Sequence, residues 1–152
     1  MYTTFAFLVK VPHLATEDFI NYYENNHVPL INRLAGPENQ PLVYKRRYTH
    51  RDDPTHIVAK ATIDAFGQPI PAPDLKHITP STTSSASFAT DPGNVDFDVI
   101  TEVGFAEKEG MMKWMVAVGT GENGRVVAED EARFLWRERT RAVTVEERVS
   151  FG

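Results

Sequence analysis

The alternation of hydrophobic and polar residues along the chain predicts four β-strands. In the first, every second residue from Phe5 to Val11 is apolar and shares one face, the period of two that a half-buried strand requires. The strand over 96–105 is the strongest, with Val99 and Val103 on one face and Asp98, Ile100 and Glu102 on the other. The predicted strands cover residues 2–11, 41–50, 96–105 and 140–149.

A helical period separates the first two strands. Apolar or aromatic residues recur at helical spacing over 16–35, a stripe that includes Tyr23, His27 and Ile31. Thr16 is suited to the N-cap, and Gly36 to the end of the helix. Pro29 has no N–H to donate to the carbonyl of Asn25. The helix is therefore expected to kink or restart just after His27.

Two further helices are predicted between the third and fourth strands. The first covers 107–119, with the stripe Met111, Met112, Met115 and Val118. The glycine-rich stretch 119–124 follows a helix and lacks the Lys-Ser/Thr of a phosphate loop, so a plain turn is expected there. A short acidic helix is predicted from about Glu129 to Trp136.

The order of these elements predicts an α+β fold of the ferredoxin-like β-α-β-β-α-β type, with a four-stranded antiparallel sheet and helices on one face. The other face of such a sheet would be bare. A second copy of the chain could cover it, giving a homodimer with a pocket between the sheet and the partner.

Residues 51–94 have a different composition, with six of the chain's ten prolines and a Ser/Thr-rich tract from Thr79 to Thr90. We interpret the 152 residues as one domain that carries a loop-rich insertion at about 51–94, a lid or a disordered loop.

Charge and cysteine content exclude several classes of function. The formal net charge is −5, so the basic footprint of a nucleic-acid-binding protein is absent from the sequence. No apolar run is long enough for a membrane span or a signal peptide, and a cytoplasmic location is predicted. With no cysteine, thiolate chemistry and cysteine-ligated metal sites are excluded. The five histidines show no metal-binding spacing, and we expect neither a metal nor another cofactor.

His27 is the first candidate for chemistry. An imidazole titrates near neutral pH and can take up or release a proton at a substrate. A buried histidine that is hydrogen-bonded to backbone at the kink would explain the same position without any catalysis, and the residues alone do not separate the two interpretations.

Other polar residues could complete a site. Asp98 and Tyr44 are predicted as acid–base partners of His27, and a cross-strand ion pair of Arg46 with Asp98 or Glu102 is the simpler alternative for these carboxylates. Arg46 or Lys10 could hold a substrate anion. The predicted substrate-binding residues are Tyr23, Arg46, Tyr48, Lys10 and Trp136.

Several segments together resemble the EthD domain family. The helix Phe19-Ile-Asn-Tyr-Tyr-Glu-Asn-Asn-His-Val-Pro-Leu30 is similar to the family's aromatic-rich helix that ends in His-x-Pro-Leu. The resemblance continues in 44–48, in 97–105 and in Ala128-Glu-Asp-Glu-Ala-Arg-Phe134. It skips 51–94, which is longer than is usual in the family, and Trp136 stands where the family usually has a short acidic or polar residue.

The resemblance implies a dimeric α+β barrel and a small cofactor-independent enzyme. Relatives of this kind include cyclases, decarboxylases, dehydratases and an isomerase of polyketide tailoring and aromatic breakdown. We therefore expect an aromatic or polyketide-like small molecule as the substrate, with decarboxylation slightly ahead of dehydration and cyclisation. A non-catalytic carrier of a small hydrophobic metabolite, or a haem- or metal-dependent oxygenase, remains the alternative.

Overall fold

The computed structural model describes residues 1–53 and 96–151 and confirms the predicted α+β order. The described strands are β1 (Tyr2–Leu8), β2 (Val43–Tyr48), β3 (Val99–Phe105) and β4 (Arg141–Glu146). The described α-helices are α1 (Thr16–Tyr22), α2 (Val28–Ala35), α3 (Lys108–Gly119) and α4 (Gly121–Glu131). Short 3-10 turns cover Pro37–Asn39 and Arg137–Arg139.

The four strands form one antiparallel sheet in the order β2-β3-β1-β4, as the ferredoxin-like pattern predicts. Each strand is shorter than predicted. The first ends at Leu8, and beyond it only an isolated bridge joins Lys10 to Leu135. In the register, Thr4 lies opposite Val103 and Thr144, so these three side chains share a face.

The first predicted helix is two α-helices joined by one π-helical segment, Tyr23–His27. The N–H of Val28 bonds to the carbonyl of Tyr23, five residues back, and Pro29 follows without an N–H of its own. The predicted restart just after His27 is therefore observed. Thr16 is the first residue of α1 rather than its cap, and Ala15 precedes it with no side-chain cap bond. Gly36, at a φ of +79°, ends α2.

The prediction for 119–136 was wrong. Gly119 is the last residue of α3, whereas Gly121 and Gly124 lie in the first turn of α4, which runs from Gly121 to Glu131, and no separate helix covers Glu129–Trp136. Close packing explains why a glycine stands inside this helix: a Cβ at Gly124 would lie 2.7 Å from the backbone of Gly119. The predicted stripe on α3 was half correct, since Met111 and Val118 are buried whereas Met112 and Met115 are exposed.

Gly124→Ala is expected to lower the free energy of unfolding by about 1–3 kcal/mol, because the added methyl group collides with backbone that cannot move aside. Urea denaturation would measure this loss. The matched control is Gly119→Ala, whose methyl group meets no atom within 4 Å. Equal stabilities for the two variants would contradict the close approach of α4 to α3.

The buried core lies between the helices and one face of the sheet. Leu8 and Val99 pack with Phe19, Tyr23 and Phe134 in the largest cluster. Two smaller clusters centre on Ile31 and on Phe105. On the opposite face, the apolar residues of the described strands belong to none of these clusters: they are Phe5, Phe7, Val43, Ile100, Val143 and Val145.

The chain divides into two compact units, one of Met1–Thr49 with Phe97–Gly152 and one of His50–Asp96. Nearly all of the second unit, and with it most of the predicted loop-rich insertion at 51–94, lies outside the described residues. The single-domain interpretation stays a prediction. Within the described part of the chain, no helix is both long and apolar enough to cross a membrane.

Candidate functional site

A cavity of about 430 Å³ lies between the sheet and the helices of a single chain. It is thus on the opposite side of the sheet from the pocket that we predicted against a partner. Its most exposed lining residues, Met115, Gly119 and Arg137, form what we call the cavity mouth. The other lining residues are Thr4, Ala6, Leu8, Tyr23, His27, Ile31, Tyr44, Thr101, Val103, Trp114, Val118, Val127, Glu131, Leu135 and Thr140.

His27 lines this cavity and is paired with a carboxylate behind it. Its Nδ1 lies 2.8 Å from Oδ2 of Asp130 on α4, and both side chains are buried, with 5% and 7% of their residue surface exposed. The other oxygen of Asp130 accepts a hydrogen bond of 2.6 Å from the hydroxyl of Tyr22. Asp130 on α4 is thus bonded to two residues, Tyr22 at the end of α1 and His27 at the end of the π-helical segment, that lie more than 100 positions before it.

This pairing decides which nitrogen of His27 carries the proton. An ionised carboxylate can only accept hydrogen bonds, so Nδ1 must donate to Asp130. In the neutral imidazole, Nε2 is then left without a proton and can accept one. The ring also packs against Phe134 and Tyr23, at centroid distances of 4.9 and 5.3 Å, which fixes its plane. His27 and Asp130 thus have the arrangement of a histidine held ready as a base.

Two neutral phenols line the same cavity. Burial raises the pKa of Tyr44 to about 12, against the opposing effect of nearby Arg46. Burial likewise raises the pKa of Tyr23 well above its usual value, and its hydroxyl lies 2.6 Å from Oγ1 of Thr101. Both tyrosines therefore keep their protons near neutral pH and can act as hydrogen-bond donors.

A carboxylate and a guanidinium meet near the cavity mouth. Oε2 of Glu131 lies 3.3 Å from Nε of Arg137, and both residues line the cavity. Burial raises the pKa of Glu131, while His27 and Arg137 pull it down. This end of the cavity is therefore charged, whereas its inner walls are apolar and aromatic.

Arg46 and Tyr48 lie in a separate cluster around Glu24. The guanidinium of Arg46 donates two bonds, of 2.9 and 2.8 Å, to the two oxygens of Glu24, and the Tyr48 hydroxyl donates a third, of 2.5 Å. Neither Arg46 nor Tyr48 lines the cavity. The predicted pairing of Arg46 with Asp98 or Glu102 was wrong, because the register places Arg46 opposite Thr101. Glu102, on the other face, pairs with Arg47 at 2.7 Å.

Glu24 gives a pH-dependent contribution to stability. Hydrogen bonds from Arg46, with a smaller effect from Tyr48, lower the pKa of the Glu24 carboxyl in the folded chain. A lowered pKa stabilises the fold above the unfolded-state pKa, and this contribution disappears as the pH falls through the folded-state pKa. The difference in unfolding free energy between wild type and Glu24→Gln should thus be largest near pH 7 and shrink in acid. Urea denaturation at several pH values would measure it; a difference that is constant with pH would contradict the assignment.

Asp98, Lys10 and Trp136 lie together elsewhere. The buried carboxylate of Asp98 accepts a hydrogen bond of 2.8 Å from the backbone N–H of Lys10. The backbone N–H of Trp136 bonds to the carbonyl of Val9, and Arg139 stacks on the indole ring at 4.4 Å. None of these residues lines the cavity. Of the eight residues predicted for the site, the structure brings His27, Tyr23 and Tyr44 together around it.

Sequence reasoning gave no role to Asp130, Glu131 and Arg137. The sequence did contain a signal for Asp130 and Glu131, because they belong to the acidic run 129–131, which lies one turn before the buried Phe134. The separation of more than 100 residues between His27 and Asp130 hid their contact. Among the residues that the structure describes, no group of three histidine or acidic side chains is placed to hold a metal ion.

Comparisons with known proteins give one family. Residues 11–138 match the sequence model of the EthD domain. A crystal structure of an ethyl tert-butyl ether D (EthD) family protein from Bacillus halodurans aligns over 97% of this chain and 100% of its own length, at 14% sequence identity and a TM-score of 0.48. The comparison with curated proteins found no match.

Proposed function

This chain belongs to the EthD domain family, and we propose that it is a cofactor-independent enzyme that uses His27 as a general base on an aromatic or polyketide-like substrate. The observation that carries the proposal is the buried contact of His27 with Asp130 at the wall of the cavity. A histidine that only held the helix kink would bond to backbone. Here the carboxylate fixes the ring and leaves its other nitrogen available to a ligand.

The proton chemistry follows from this arrangement. Nε2 of His27 takes a proton from an acidic C–H or O–H of the substrate, and Asp130 stabilises the resulting imidazolium. The enolate or phenolate oxygen that forms can accept a hydrogen bond from neutral Tyr44 or Tyr23. The imidazolium then returns the proton in one of three ways: to the carbon whose bond to the carboxyl group breaks as carbon dioxide leaves, to a hydroxyl that departs as water when its C–O bond breaks, or to the alkoxide formed when the enolate carbon attacks a carbonyl. These outcomes correspond to decarboxylation, dehydration and cyclisation.

The lining and the volume of the cavity support a small, mainly apolar substrate. Trp114, Val118, Ile31 and Val103 supply apolar walls, and Thr101 with the tyrosines supplies a few hydrogen-bonding groups. A volume of about 430 Å³ is in the usual range for small-molecule sites.

The test compares wild type with His27→Ala on a panel of carboxylated and uncarboxylated aromatic polyketides, with and without chelator treatment, and follows products by mass and binding by calorimetry. Loss of carbon dioxide or water, or an isomeric product, formed only by wild type supports the proposal and identifies the reaction. Equal turnover by both proteins would show that His27 is not the base. Binding without any turnover would favour a carrier of hydrophobic metabolites, and activity lost to the chelator would favour a metal-dependent enzyme.

We also propose that two copies of the chain pair through the apolar face opposite the helices. Its β4 residue Val143 is half exposed, and Phe5 lies beside it in the register. Val143→Lys is expected to turn a dimer into a monomer in light scattering at micromolar concentration. Thr144→Lys, one residue along on the helix-facing side, should leave it dimeric. A monomeric wild type would contradict the proposal. A cytoplasmic location and the lack of a nucleic-acid partner stay predictions.

A further inference from the structure

The cavity is lined by a basic side chain that the sequence analysis did not single out, that of Arg137. Arg137 is the only Arg or Lys side chain that lines it in the described part of the chain. The two basic residues that the sequence suggested as anion holders do not line the cavity. Arg46 donates two hydrogen bonds to the carboxylate of Glu24, and Lys10 is not among the lining residues.

Arg137 is also incompletely paired. A single nitrogen, Nε, faces Glu131 at 3.3 Å, and within the described residues no hydrogen bond from the two terminal nitrogens is formed. Its side chain is 56% exposed, whereas that of Glu131 is 27% exposed. A guanidinium can bind a carboxylate through two parallel hydrogen bonds, so the capacity for a planar anion remains available at the cavity mouth.

Glu131 is the carboxylate that an anionic ligand would have to displace from the guanidinium of Arg137. It lies next to Asp130 on α4; burial and Asp130 raise the pKa of its carboxyl, and His27 and Arg137 lower it. A second carboxylate that entered beside Glu131 would be repelled unless Arg137 turned from one carboxylate to the other. The carboxylate of Glu131 thus lowers the affinity of the cavity for anionic ligands, because such a ligand must compete with Glu131 for Arg137.

We propose that Arg137 recognises a carboxylate or an equally placed anion on the ligand, and that Glu131 holds Arg137 at the mouth until such a ligand replaces it. The ligand class is therefore an aromatic acid whose ring system enters the apolar interior while its charge stays at the mouth. The proposal rests on the cavity being the ligand site of the proposed function, but it does not depend on His27 chemistry.

Calorimetric titration with 2-naphthoic acid and with 2-naphthamide tests this, because the two compounds differ in charge and hardly in shape. Wild type should bind the acid at least about tenfold more tightly than the amide. Arg137→Gln should lose this preference, and Arg137→Lys should keep part of it, since the charge remains but the planar fork does not. Glu131→Gln should bind the acid more tightly than wild type does.

The matched control is Arg139→Gln. Arg139 belongs to the same 3-10 turn, stacks on Trp136 and does not line the cavity, so this variant should keep the preference for the acid. An acid preference that survives Arg137→Gln, a wild type without any preference, or failure of both compounds to bind would overturn the proposal. Acid-selective binding by a protein that turns over no substrate would refute the proposed function and leave this inference standing.

Discussion

Asp130→Asn is expected to lower kcat by about 10²- to 10⁴-fold with little change in KM. The carboxylate now holds the proton of His27 on Nδ1. An amide in its place can donate to Nδ1, which moves the proton to Nε2 and occupies the nitrogen that should act as the base. Steady-state kinetics on a substrate found in the panel would measure the loss, and circular dichroism would check that the variant is folded.

Tyr22→Phe is the matched control for this prediction. The Tyr22 hydroxyl bonds to the other oxygen of Asp130, so its removal leaves the contact with His27 in place. We expect less than about a tenfold loss in kcat, because this hydrogen bond does not touch His27 and less than about 1.4 kcal/mol of its effect should reach the base. A folded Asp130→Asn enzyme with wild-type kcat would show that the carboxylate does not set the tautomer.

Phe134→Ala should cost about 3–5 kcal/mol of the free energy of unfolding, the range for truncation of a buried aromatic residue. Phe134 is 0% exposed, and its ring lies 5.8 Å from that of Phe19 and 5.1 Å from that of Tyr22. Its ring also packs against that of His27 at a centroid distance of 4.9 Å, so the space left by its removal should let the His27 imidazole change its orientation. Urea denaturation would measure the loss of stability. The kcat of the folded fraction would measure the effect on His27.

Phe151→Ala removes the same side chain from a position that is 96% exposed, and its effect on stability should stay within about 0.5 kcal/mol. Similar losses for the two variants would contradict the assignment of Phe134 to the core. A destabilised Phe134→Ala enzyme with unchanged kcat would show that the ring stabilises the fold without positioning His27.

The local pattern of the sequence was enough to predict the elements and their order. A period of two identifies β1 and β3, and the missing N–H of Pro29 predicts the restart after His27. Where local pattern failed, a long-range contact decided. Gly121 and Gly124 look like a turn, but both lie in α4, and the close approach of α4 to Gly119 explains why position 124 is a glycine.

The sequence by itself thus determined the β-α-β-β-α-β order, the position of the helix interruption and the importance of His27 as a candidate. Only the tertiary structure decided the partners of that histidine. Helix α4 brings Asp130 to a residue 103 positions away, and the sheet register turns Arg46 towards Glu24 instead of Asp98. The physical reason is that periodicity reports which face of an element is buried, whereas partners depend on register and packing, where a shift of one residue exchanges the faces of a strand.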